Sequence, residues 1–209
     1  MKSDATWPVV GDVVDALDSA YYKAFSNVEP TNKRYLLGLD VSGSMGLGEI
    51  NGSPGMVPRV GAAAMSMITY RTEANTTLMA FQKQFVPINI TRTQKLNDVV
   101  RCISGLPFGG TDCALPITWA LEQYRKNPNV VYDVFIVYTD NETWAGNIQP
   151  VQALDQYRKE VNKDAKVIVV GMTSAGFTIA DPTDPGMLDM VGFDASGPEI
   201  ISNFVLGVF

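Results

Sequence analysis

The chain has 209 residues, of which 46% are hydrophobic and 18% are charged, and its formal net charge is −6. This hydrophobic content excludes a disordered or fibrous protein, and the length is sufficient for one core that buries a sheet between two helix layers. The negative charge disfavours direct binding to the phosphate backbone of nucleic acid. The sequence has no histidine, which excludes the common serine–histidine catalytic triad and histidine-ligated zinc.

Cysteine content and hydropathy bear on the compartment. Two cysteines, Cys102 and Cys113, are too few for a disulfide framework and favour a reducing environment. No apolar run is long enough to span a bilayer, and the first residues, MKSDATWP, lack the apolar core of a signal peptide. We therefore expect a cytoplasmic protein, monomeric and without membrane association.

The first third of the chain predicts a helix, a buried strand and a second helix. Apolar residues recur at helical spacing at Val10, Val13, Leu17, Tyr21 and Ala24. This spacing predicts an amphipathic helix over residues 9–26, followed by a linker over 27–33. The apolar run RYLLGLD, residues 34–40, predicts a strand buried on both faces of a parallel sheet. After a glycine-rich loop, small residues predict a helix over 57–73.

The middle of the chain predicts two adjacent strands and then two helices. The strands are expected over residues 76–81 and 85–90. Thr93 stands where it would cap a helix over 94–104, and Asp112 where it would cap the next helix. The loop between these helices is rich in glycine.

The last third continues the alternation of strands and helices. Strands are predicted over 133–139 and 166–171, and helices over 150–161 and 199–208, with a long loop over 173–186. We therefore predict an α/β fold with a doubly wound, mostly parallel sheet, one short antiparallel strand and helices on both faces. Residues 1–33 are expected to form a helix and linker that pack on a domain spanning 34–209.

Oxygen-bearing side chains occur in three loops expected at the carboxyl ends of the strands. They are Asp40, Ser42 and Ser44 of DVSGS, Thr111 of FGGTD and Asp140 of YTDNE. Ligands of doubly wound sheets bind at this edge. A set of carboxylates and hydroxyls without nitrogen or sulfur favours a hard divalent ion, and two carboxylates suit Mg²⁺ better than Ca²⁺. The pattern therefore predicts a magnesium site, although each residue taken singly is better explained by a helix cap or a turn.

Enzymatic alternatives fit less well. The sequence has no P-loop motif, and the run GSMGLG lacks the order of a dinucleotide-binding fingerprint. A magnesium-dependent phosphotransferase with Asp40 as nucleophile would generally have a second acid two residues later, where this chain has Ser42. We therefore expect a protein that is not an enzyme.

The DVSGS, FGGTD and YTDNE segments resemble the von Willebrand factor A family. The resemblance implies a metal-ion-dependent adhesion site, with Asp40, Ser42 and Ser44 in its DxSxS motif, Thr111 in its second loop and Asp140 in its third. It implies that the serines and either the threonine or the third-loop aspartate contact Mg²⁺, or another hard ion such as Mn²⁺. A protein partner's Asp or Glu would complete the coordination shell. A partner-binding rim is expected at Gly110, Asn141, Glu142 and Trp144.

A closer resemblance extends over nearly the whole chain. Segments such as NVEPTNKRYLLGLDVSGSM, GGTDCALPITWA, DVFIVYTDNETWAG and GMTSAGFTIADPTDPGMLDMVGFD are similar to the C-terminal domain of the Ro ribonucleoprotein autoantigens and their bacterial relatives. In that family, a ring of helical repeats precedes this domain and binds Y RNA and misfolded noncoding RNA. The resemblance implies service in noncoding-RNA quality control, with RNA contacted only indirectly through the ring. The alternative is an architectural domain that closes the ring and keeps a vestigial metal site.

Overall fold

The computed structural model describes residues 8–107, 109–141, 145–174, 176 and 178–208. Within them lies a six-stranded sheet in the order β3-β2-β1-β4-β5-β6. Its strands are β1 (Tyr35–Asp40), β2 (Thr76–Phe81), β3 (Phe85–Pro87), β4 (Val134–Thr139), β5 (Lys166–Gly171) and β6 (Met187–Val191). All neighbouring strands pair in parallel except β2 and β3, which are antiparallel. The predicted fold class is thus confirmed.

Helices cover both faces of the sheet. They are α1 (Gly11–Ala24), α2 (Pro58–Thr72), α3 (Leu96–Ser104), α4 (Leu115–Lys126), α5 (Pro150–Glu160) and α6 (Gly197–Leu206). Helices α2, α3 and α6 share one apolar core with the sheet, and α4 and α5 share the other. Every residue of β1 and β4 is buried, because these central strands are covered on both faces.

Strand β6 was not predicted from the sequence. Only Met187 is buried in this strand, while Leu188 and Met190 are partly buried and pack against the core. An edge strand needs fewer apolar residues, and Asp189 interrupts the apolar run. Strand β3 is shorter than predicted and ends at Pro87, which has no N–H to donate to the sheet.

Neither Thr93 nor Asp112 is the N-cap residue of its helix, contrary to the prediction from the sequence. Helix α3 begins at Leu96, whose N–H donates to the Tyr22 hydroxyl of α1 at 2.6 Å, so a tertiary contact replaces the Thr93 cap. Asp112 Oδ1 accepts the N–H of Ala114 at 3.0 Å, which caps the turn before α4 rather than the helix itself.

The segment before β1 is anchored to α2 at two points. The Tyr21 hydroxyl donates to the carbonyl oxygen of Ala64 at 2.8 Å. The buried carboxylate of Glu73 accepts hydrogen bonds from the Thr31 N–H, the Thr31 hydroxyl and the Asn32 N–H. Helix α1 forms within the predicted range of residues 9–26, but none of its residues is buried.

No helix in the described part of the chain is long and apolar enough to cross a membrane. Cys102 is exposed on α3, whereas Cys113 is buried, and no disulfide joins them.

Candidate metal centre

The strand order reverses between β1 and β4, and this reversal opens a crevice at their carboxyl ends. From β1 the chain proceeds to β2 and β3 on one side, and β4 then continues on the other side to β5 and β6. Asp40 is the last residue of β1, and Asp140 directly follows β4. Ligands of such sheets bind at this reversal.

The Asp40 carboxylate is buried, and both of its oxygens accept hydrogen bonds. Oδ1 accepts the N–H of Ser42 at 2.8 Å, and Oδ2 accepts the hydroxyl of Thr139 at 2.8 Å. Asp40 is only 1% exposed. These bonds fix the carboxylate orientation and link the end of β1 to the end of β4.

The two serines of the DVSGS loop lie side by side. Their Oγ atoms are 3.1 Å apart, because a short 3-10 turn at Ser44–Gly46 brings Ser44 back over Ser42. Ser42 is buried and Ser44 is partly exposed. Arg59 of α2 donates from Nη2 to the carbonyl oxygen of Ser42 at 3.2 Å, which holds the loop against the helix.

Thr111 lies in a second loop that hydrogen bonds tie to the same edge. The N–H of Asp112 donates to the carbonyl oxygen of Gln82, just beyond β2, at 3.0 Å. Cys113 Sγ lies 4.0 Å from Thr139 Oγ1, and the carbonyl oxygen of Thr111 accepts the N–H of Ala145 at 2.9 Å. Thr111 is 2% exposed. The second loop therefore sits between the ends of β2 and β4.

Asp140 is held by residues that follow β5. The hydroxyl of Thr173 donates to the carbonyl oxygen of Asp140 at 3.1 Å. The N–H of Met172 donates to the carbonyl oxygen of Thr139 at 2.8 Å. Asp140 is 5% exposed.

Electrostatics at this edge favour a cation. The pKa of the Asp40 carboxyl is raised to about 7, because burial and the negative charge of Asp140 outweigh the lowering effect of the hydrogen bonds from Ser42 and Thr139. Two buried carboxylates that repel each other cost free energy unless a positive charge neutralises them.

The donor set fits a hard divalent ion. The described residues contain no cluster of three or more His, Cys, Asp or Glu side chains that would hold a metal, so hydroxyls must supply part of the shell. Carboxylate and hydroxyl oxygens are ligands suited to Mg²⁺ and Mn²⁺. When bound, such an ion would act as a Lewis acid that accepts a further anionic oxygen.

The residues expected to form the partner-binding rim differ in their exposure to solvent. Gly110 is partly exposed beside Thr111. Asn141 is 1% exposed and donates from Nδ2 to the Thr173 carbonyl oxygen at 3.3 Å. Its backbone has a φ of 67°, a conformation that asparagine tolerates and that turns the side chain inward. Glu142 and Trp144 lie outside the described residues.

Thr139 and Gln82 also support the site, and sequence reasoning did not assign them to it. Thr139 is fully buried and orients Asp40, and Gln82 anchors the second loop. The one available signal was the hydroxyl that ends the otherwise apolar and aromatic strand VFIVYT.

Residues 34–205 match the sequence profile of the Ro60 vWA domain. This chain belongs to that family. The RNA-binding protein RO60 of Deinococcus radiodurans is 47% identical over 207 residues, which cover 99% of this Ro60 vWA chain and 38% of that protein. The RNA-binding protein RO60 of Caenorhabditis elegans is 44% identical over 207 residues, with coverage of 99% and 31%. The chain thus spans about a third of the length of these relatives.

Solved structures agree with the family assignment. The crystal structure of the Deinococcus radiodurans RO (RSR) protein superposes with a TM-score of 0.86 at 47% identity, covering 100% of this Ro60 vWA chain and 41% of that one. The crystal structure of manganese-loaded Plasmodium vivax TRAP protein superposes with a TM-score of 0.52 at 15% identity, covering 83% of this chain and 74% of that one. The second similarity concerns the fold alone.

Proposed function

We propose that this Ro60 vWA domain is a non-enzymatic binding module that uses a divalent ion, Mg²⁺ or Mn²⁺, to capture a carboxylate of a protein partner. The proposed ligands are Asp40, Ser42, Ser44, Thr111 and Asp140. The observation that carries the proposal is the convergence of three loops that place two buried carboxylates and buried hydroxyls at the reversal point of the sheet. A partner's Asp or Glu would occupy the ion's remaining position.

Asp40 is better suited to orienting ligands than to covalent chemistry. Both of its oxygens already accept hydrogen bonds and its side chain is 1% exposed, so an incoming phosphoryl group would have to displace those donors. A buried carboxylate whose two oxygens both accept hydrogen bonds instead orients the neighbouring ligands of a metal. This argues for binding rather than phosphoryl transfer.

The names of the relatives support an RNA-binding context for the module. Both curated relatives are named RNA-binding proteins, and this chain spans about a third of their length. The net charge of −6 opposes contact between this chain and an RNA backbone. We infer that RNA is bound by the remaining part of such proteins, and that this domain acts in the cytoplasm, where it recruits protein in noncoding-RNA quality control.

The test is calorimetric titration of Mg²⁺ into chelator-treated protein, with and without acetate as a minimal partner carboxylate. The variant is Asp40→Asn, which removes the charge and keeps the shape. The matched control is Asp133→Asn, because Asp133 precedes β4 at the opposite edge of the sheet and pairs there with Arg34. We expect saturable binding by the wild type and the control, tighter binding in acetate, and no binding by Asp40→Asn.

Two results would contradict the proposal. Absence of Mg²⁺ and Mn²⁺ binding by the wild type would leave an architectural domain with a vestigial site. Equal binding by wild type and Asp40→Asn would place the ion elsewhere.

A further inference from the structure

A groove of about 710 Å³ lies between α1, α2 and α6, on one face of the sheet. Its apolar lining includes Tyr21 of α1, Met65 and Ile68 of α2, and Phe193 and Pro198 near the start of α6. None of the five proposed metal ligands lines it. The groove is therefore a separate feature from the metal centre.

The apolar surface of the groove continues along α1. Val10, Val14, Leu17 and Tyr21 recur at intervals of four, three and four residues, so they share one stripe of the helix. Val10 is 54% exposed, Val14 is 48% exposed and Leu17 is 65% exposed. Tyr21 of this stripe lines the groove, so the exposed apolar residues lead directly into it. A contiguous exposed apolar surface of this kind marks an interaction site.

The charges around the groove have one sign. Glu29, Asp194 and Glu199 line it, and its lining residues include no Lys or Arg. All three acids are exposed. Asp194 accepts hydrogen bonds from the N–H and the hydroxyl of Ser196 at 2.7 and 2.6 Å, which hold its pKa below its usual range and keep it ionised at neutral pH. The groove therefore repels anionic ligands and attracts cationic ones.

We propose that this groove and the α1 stripe bind a basic amphipathic helix of a partner protein. The stripe on α1 has intervals of three and four residues. A partner helix whose apolar residues recur at the same intervals can pack along it and into the groove. Lysine or arginine flanking the partner's apolar face would meet Glu29, Asp194 and Glu199. The acids exclude an RNA backbone as the ligand, because its phosphates would be repelled.

The test uses a synthetic amphipathic peptide with leucines at helical spacing and lysines on both flanks. Its counterpart carries glutamates in place of the lysines. We expect fluorescence anisotropy to show that the lysine peptide binds this chain at least about tenfold more tightly, with affinity that falls as salt rises. Methyl NMR should show shifts of the Met65 and Ile68 signals when the lysine peptide binds.

Two variants and a control locate the binding. Ser202→Arg introduces bulk and positive charge into the groove from α6, and Glu199→Lys reverses one acid, so both should weaken binding about tenfold or more. The control Asp155→Lys reverses an exposed acid on α5, which packs on the opposite face of the sheet, and should bind like the wild type. Circular dichroism would verify that each variant is folded.

Several outcomes would overturn the proposal. Equal affinity for the two peptides, or no effect of Ser202→Arg, would show that the groove is not the site. Binding lost on addition of chelator or in Asp40→Asn would assign the peptide to the metal centre, whereas binding unchanged by either supports the groove whether or not the metal proposal holds. Dimerisation of the chain that Ser202→Arg abolishes would identify a second copy as the occupant.

Discussion

Thr139 illustrates how a single buried hydroxyl can determine the geometry of the candidate site. It donates to Oδ2 of Asp40 from the neighbouring strand, and no other hydrogen bond described here joins the side chains of β1 and β4 at this edge. Together with the bond from the Ser42 N–H, it holds the carboxylate in one orientation. Residues that orient ligands commonly affect metal affinity nearly as strongly as the ligands do.

Replacement of Thr139 by valine should therefore weaken Mg²⁺ binding about tenfold with little effect on folding, since valine preserves the shape and strand preference. Thr139→Ser retains the hydroxyl and should restore the affinity. The control Thr77→Val removes a hydroxyl that contacts Tyr132, away from the metal edge. Calorimetry of the three variants would measure this, and wild-type affinity in Thr139→Val would contradict the assigned role.

Sequence reasoning selected candidate ligands by residue type and spacing, and the structure gathers their loops at one edge. Thr139 was missed because its role depends on β1 and β4 being neighbours, which spacing along the chain does not reveal. The burial of Asn141 also involves a contact between distant segments, because its Nδ2 donates to the carbonyl oxygen of Thr173. A polar residue after a strand is usually exposed, but here the left-handed backbone turns it into the protein.

At the scale of elements, continuous apolar runs identified β1, β4 and β5 because those strands are buried on both faces. The edge strand β6 was not predicted because only Met187 of its five residues is buried, so it lacks a continuous apolar run. The start of α3 was misjudged because its first N–H groups are satisfied partly by Tyr22 of α1, a contact that local sequence does not encode. Local patterns thus predicted the central elements better than the peripheral ones.

Glu73 connects the segment before β1 to the end of α2. Its buried carboxylate accepts three hydrogen bonds from Thr31 and Asn32, at 2.7, 2.8 and 3.1 Å. Asn32 has a φ of 60°, a left-handed backbone conformation that asparagine tolerates, and its N–H donates to this carboxylate. This anchor fixes how α1 approaches the domain.

Glu73→Gln should lower the free energy of unfolding by about 1–3 kcal/mol, because a neutral amide is a weaker acceptor and leaves one donor unpaired. Amide hydrogen exchange should also become faster across the segment from α1 to β1. The control Glu49→Gln changes an exposed acid and should unfold like the wild type in denaturant. Equal stability of Glu73→Gln and the wild type would show that the anchor contributes nothing.

The net negative charge of this chain disfavours its binding to RNA. The 22 acidic residues outnumber the 16 basic ones, and the relatives that are named for RNA binding are about three times as long. The family assignment therefore does not by itself require this domain to touch RNA.

We predict that the chain alone does not retain a Y-type RNA in a gel-shift assay at moderate salt. A phosphate backbone meeting a net negative surface gains too little from counterion release to bind. The full-length relative from Deinococcus radiodurans would serve as the positive control. A saturable shift with this chain that weakens as salt rises would contradict the prediction.

Anomalous scattering from crystals soaked in Mn²⁺ would show whether the β1–β4 edge holds a divalent ion. We expect one strong peak in the crevice, at about 2.2 Å from oxygens of the proposed ligands Ser42 and Ser44. Absence of a peak there, or a peak only at surface carboxylates elsewhere, would contradict it.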